Sequence, residues 1–154
     1  MNIGLTDSQR AGVADLLRRT LADEYILYTK TRKYHWNVEG MHFHDLHKMF
    51  EGQYEEIDET IDEVAERIRA LGVLSPGSFA EFPQDARLAE DAGGKIDART
   101  MIANLLADHE SIIRSLRGDL QSAADHGDAG NSDFLTGLLE SHEKTAWMLR
   151  SLLA

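Results

Sequence analysis

The chain has 154 residues, no cysteine, and 16 basic against 27 acidic side chains, a formal charge of −11. That size fits one domain around one hydrophobic core, and the missing cysteines exclude disulfides, thiolate metal sites and cysteine nucleophiles. The acidic balance argues against a nucleic-acid surface, which needs clustered positive charge, and no apolar run approaches the roughly 18 residues that span a bilayer.

The chain opens with MNIGLTDSQR, which lacks a basic and then apolar leader, so a cytoplasmic location without membrane association is expected. Helical periodicity then cuts residues 1–154 into four long segments of one domain. The first runs from about residue 7 to 38, with Thr6 and Gln9 reading as a capping box and Gly40 as its exit. The second, about 43–71, places Phe43, Leu46, Phe50, Tyr54, Ile57, Ile61, Val64, Ile68 and Leu71 at gaps of three or four, a long amphipathic helix.

A long connection follows, holding both prolines (Pro76 and Pro83) and a short helix expected near Ser78–Phe82. The third segment, about 97–126, opens on Asp97 as N-cap and buries Met101, Leu105, Ile112, Leu116 and Leu120. The fourth, about 131–152, carries Leu135, Leu138, Leu139, Ala146, Leu149 and Leu152. Nothing reads as a strand. Short outer connections make antiparallel hairpins, and the long middle crossover makes this all-α chain a ferritin-like four-helix bundle.

Two i,i+4 pairs on the second helix are metal-grade ligands: His47 with Glu51, and Asp62 with Glu66. The fifteen residues from His47 to Asp62 cover roughly 22 Å of helix, whereas one ion needs its ligands within about 2–2.6 Å. Either each pair is an ordinary solvated face, or a second copy supplies the missing half. If the helix packs antiparallel on its own copy about a two-fold axis near residues 56–57, His47 faces Glu66 and Glu51 faces Asp62. Two identical sites then close at once. His35 lies on the inward row of Leu17, Leu21 and Tyr28 and completes each site.

Two imidazoles and three carboxylates suit iron(II), manganese or zinc, and the carboxylates favour oxidation to iron(III). A di-iron site inside one subunit would need Glu-x-x-His on two helices. Only Glu39 to His42 has that spacing, and it straddles Gly40, so an intrasubunit site of that kind is not expected.

The run HWNVEGMHFHDLHKMFE (His35–Glu51) resembles the first signature of the Dps family of mini-ferritins, and IDEVAERIRALG (Ile61–Gly72) resembles the second. HEKTAWMLRSLL (His142–Leu153) is similar to the family's last helix. The resemblance implies a hollow dodecamer whose two-fold dimers form ferroxidase sites. These would oxidise iron(II), preferentially with hydrogen peroxide, and the shell would store the ferric mineral and protect against oxidative damage.

By the same resemblance, His35, His47 and Glu51 come from one subunit and Asp62 and Glu66 from its partner. The iron centre is dinuclear in one reading, and zinc can substitute. Glu51 stands where the family commonly has Asp. The resemblance also gives Trp36 a role in taking up oxidising equivalents, with a core aromatic as the alternative. It places Asp133 at a three-fold pore, with Asp128 and Asp125 as weaker candidates.

Family members that condense DNA use Lys- and Arg-rich tails. Here the first nine residues hold neither, and only Arg150 follows Lys144. DNA binding is therefore not expected. The alternatives are a nucleoid-associated, DNA-organising structural protein, which those tails count against, and a related bundle holding structural zinc. His109 and His142 read as core or interface histidines, and His126 as a turn residue.

Overall fold

The computed structural model describes residues 1–154 and consists of five helices: α1 Asp7–Asn37, α2 Phe43–Ala70, α3 Phe82–Asp85, α4 Ala98–Asp125 and α5 Ala129–Leu153. The capping box forms as expected: Thr6 Oγ1 accepts from the Gln9 backbone N–H, and the Gln9 side chain accepts from the Thr6 backbone N–H. Asp97 caps α4 by accepting from the Thr100 N–H at 2.8 Å.

α4 and α5 join through three residues. Gly127, at φ +78°, takes the left-handed conformation that ends α4, and its N–H and that of Asp128 return to the carbonyls of Ala124 and Ala123. Asp128 then starts the next helix at once: its carboxylate accepts from Asn131 N at 3.0 Å and from Asn131 Nδ2 at 2.6 Å. That cap is why α5 begins at Ala129, earlier than the periodicity alone indicates.

α1 packs on α2, α4 on α5, and α1 also faces α4, so the two hairpins close into one bundle. Leu17, Leu21, Leu27, Tyr34, Phe50, Val64, Ile68, Leu105, Ile112, Leu116, Leu135 and Leu149 fill the interior at under 2 % exposure. Two positions of the apolar pattern stay outside: Phe43, in the first turn of α2, and Leu152, in the last turn of α5, are each nearly half exposed.

The short crossover helix differs from expectation. Residues 78–81 form a turn in which Ser78 Oγ and the Gly77 N–H donate to the Glu81 carboxylate, and helix begins only at Phe82, with Pro83 in its first turn. Proline favours that position because its missing N–H and preset φ cost nothing there. The crossover is held down electrostatically. Arg87 bridges buried Asp23 of α1 (2.7 Å) and Asp119 of α4 (2.6 Å), while Asp23 also accepts the backbone N–H groups of Arg87 and Leu88. Lys30 adds a bond to Asp108 and one to the Ala89 carbonyl.

Candidate metal centre

His35 ends α1 and His47 lies in the second turn of α2, so the hairpin brings two residues twelve apart into contact. Their rings stack with centroids 3.8 Å apart and planes 19° from parallel. Each ring is held by the other's main chain: His35 Nδ1 donates to the His47 carbonyl (2.8 Å), and His47 Nδ1 donates to the His35 carbonyl (2.9 Å). This reciprocal pair fixes both tautomers with the proton on Nδ1 and leaves both Nε2 lone pairs free. A metal-ligating histidine needs that state, with the second ring nitrogen tied to a carbonyl or carboxylate.

Glu51 lies one helical turn beyond His47 and is partly exposed. Lys48 donates to its carboxylate, and that bond, together with the nearby His35 and His47, holds Glu51 below the ordinary carboxylate range. A cation arriving at the two imidazoles therefore meets an ionised Glu51 but must displace the Lys48 ammonium. Phe43 stacks on His47 at 5.1 Å, and Tyr54 meets His35 edge-on at 5.2 Å. These aromatics orient both rings. The sequence reading missed Lys48 and Tyr54 as neighbours of the site, although both lie at helical spacing from Glu51 and His47.

Asp62 and Glu66 lie farther along α2, exposed, and neither carboxylate takes part in any hydrogen bond or ion pair. They are not brought to the histidines. No three His, Asp or Glu side chains of the single chain are placed to hold one metal ion among themselves. One copy thus presents two separate groups of candidate ligands: His35 of α1 with His47 and Glu51 of α2, where the imidazole Nε2 lone pairs are free, and farther along α2 the unpaired carboxylates of Asp62 and Glu66.

Trp36 is 65 % exposed, so in one copy it is not the core aromatic of the alternative reading. The Arg32 guanidinium lies 5.3 Å from its ring and also over Tyr28 and Tyr54. Among the acidic residues near the α4–α5 turn, Asp133 is exposed and unpaired, and Asp125 accepts from Gln121 at the surface. Asp128 is different: it is buried, and both its oxygens are used in capping α5. Its carboxylate is committed to the start of α5, unlike the exposed carboxylates of Asp133 and Asp125.

The ferritin-like domain family matches residues 14–154. The chain is 36 % identical to DNA protection during starvation protein 2 of Bacillus anthracis, over 92 % of this chain and 96 % of that one. It is 51 % identical to an uncharacterised low temperature-induced protein of Nostoc, over 99 % of this chain and 86 % of its relative. Among solved structures, a Dps protein from Vibrio cholerae, described as a member of the ferritin-like diiron-carboxylate superfamily, superposes with a TM-score of 0.94. That match is at 33 % identity and covers 100 % of this chain and 97 % of that one. The fold is that of a ferritin-like protein, and within that class the chain belongs to the Dps family.

Proposed function

We propose that this protein is an iron-oxidising, iron-storing mini-ferritin whose ferroxidase site is completed between two copies of the chain. His35, His47 and Glu51 of one subunit would bind iron(II) together with Asp62 and Glu66 of the partner subunit. The observation that carries this reading is the reciprocal His35–His47 hydrogen bonding. It leaves two aimed imidazole lone pairs with one nearby carboxylate, while two further carboxylates on the same helix stand unpaired and out of reach.

Iron is the substrate here. The nitrogen donors suit iron(II), and the three carboxylates, worth three negative charges, stabilise the product iron(III). With two irons at one site, one peroxide accepts two electrons: its O–O bond breaks, two protons are taken up, and two waters leave with two iron(III). A paired transfer of this kind avoids releasing hydroxyl radical. Trp36, exposed beside His35, would take up any stray oxidising equivalent, and Asp133, with Asp125, would line an entry path for the cation. A shell assembled from such dimers, probed as a dodecamer by its mass, would hold the ferric product.

The test is anaerobic iron(II) titrated with hydrogen peroxide. The expected result is two irons oxidised per peroxide, and a loss of the fast phase by at least about 10-fold in His47→Ala and in Asp62→Ala, with shell mass unchanged. No oxidation by the parent protein would overturn the reading, and retained zinc without oxidation would replace it with a structural metal role.

A further inference from the structure

The centre of the bundle, where no Glu-x-x-His motif falls, is not apolar. Glu24 of α1, Gln53 of α2, His109 of α4 and His142 of α5 contribute one side chain from each long helix, all at 5 % exposure or less. Together with Glu56 and Thr60 at its mouth they line one cavity of about 20 Å³. That volume admits a water-sized guest and little else.

Hydrogen bonding among Glu24, His142 and His109, with Glu24 as the carboxylate, fixes the imidazole protons. His142 Nε2 donates to Glu24 Oε1 at 2.9 Å, which leaves His142 Nδ1 as an acceptor. The only group that can donate to it is His109 Nδ1, 2.8 Å away. His109 Nε2 therefore carries a bare lone pair. It is buried and has no partner, and the same holds for Glu24 Oε2 and for both polar atoms of the Gln53 amide. A core that leaves these four atoms unpaired around one small cavity is destabilised unless something occupies it.

We infer that this cavity is a second metal site, taking one divalent cation of the first transition row on Glu24 Oε2, His109 Nε2 and the Gln53 amide oxygen. The three donors are a carboxylate, an imidazole and an amide, a nitrogen–oxygen set suited to zinc or iron(II). His142 is a positioning residue: it ties the second oxygen of Glu24 and the second nitrogen of His109 to one ring. This is the outer-shell arrangement that orients ligating histidines and carboxylates. Charge also balances, since Glu24 inside and Glu56 at the mouth together offset a dication. The site uses none of the dimer ligands and does not depend on the function proposed above.

The test uses full-length protein carrying His47→Ala and Asp62→Ala, so that the dimer site is silent, titrated with cobalt(II). Bound metal is counted by dialysis and its geometry read from visible d–d absorption. The expected result is one cobalt per subunit, with affinity reduced at least about 10-fold by Glu24→Gln and by Gln53→Leu. Gln53→Leu also removes two unpaired buried atoms, so the metal-free variant should melt no lower than its parent, which separates lost binding from lost folding. Absence of cobalt from the silenced protein would overturn the inference and leave a resident water in the cavity. Cobalt retained unchanged by both substitutions would overturn it equally.

Discussion

At the scale of single residues, the protein sorts its histidines by what the second ring nitrogen touches. His35 and His47 donate to carbonyls through Nδ1 and keep their Nε2 lone pairs free, whereas His109 and His142 donate into a buried chain ending at Glu24. Burial and the neighbouring His142 push the His109 pKa well below its ordinary value of 6.5. In the unfolded chain that imidazole titrates normally, so below about pH 6.5 the unfolded state binds the extra proton and the folded state does not. His109 thus contributes stability that is present above that pH and lost as pH falls. In metal-free protein, urea unfolding from pH 7 down to 5.5 should show stability decreasing by up to about 1.4 kcal/mol per pH unit from this group. His109→Phe should flatten the slope. None of this chain was readable from sequence: Glu24 and His142 stand 118 residues apart, and apolar rows identify a histidine as inward without naming its partner. Asp128 shows a different limit: an acidic residue in a turn reads the same in sequence whether its carboxylate stands open or caps a helix.

At the scale of elements, local chemistry set the boundaries that were legible. Thr6 with Gln9, Asp97 and the glycine after α4 act within a few residues of themselves, so their roles show in the sequence. The crossover between α2 and α4 is held by long-range bonds, and there the expectation of helix near Ser78–Phe82 gave way to Phe82–Asp85. Arg87 is the clamp: it satisfies Asp23, which is 1 % exposed, and Asp119 together. Arg87→Met would leave a buried carboxylate without its cation, and such a loss destabilises by about 3–5 kcal/mol. Chemical denaturation should show that drop. The companion Asp23→Asn in the Arg87→Met background should recover part of it, because it removes the uncompensated charge. The long helix α2 was the most legible element. Its apolar stripe matches the helix Phe43–Ala70, whose buried face holds Leu46, Phe50, Ile57, Ile61, Val64 and Ile68.

At the scale of the whole molecule, the chain carries a charge of −11 and no helix long and apolar enough to cross a membrane. Acidic shells would repel phosphate, and the basic tails used by DNA-condensing members of the family have no counterpart in the first nine residues. Gel-shift assays at neutral pH and about 0.1 M salt should show no retarded plasmid DNA. Adding a Lys-rich tail should create retardation that high salt abolishes. The central claim, that one ferroxidase site takes residues from two subunits, is tested most directly by complementation. His47→Ala and Asp62→Ala subunits are inactive alone, but a hybrid dimer holds one site with both lesions and one with neither. When the two variants are unfolded together in equal amounts and refolded, half of the dimers are hybrids, and about a quarter of the wild-type fast iron oxidation should return. No recovery in correctly assembled mixed shells, or full activity in either variant alone, would contradict a shared site.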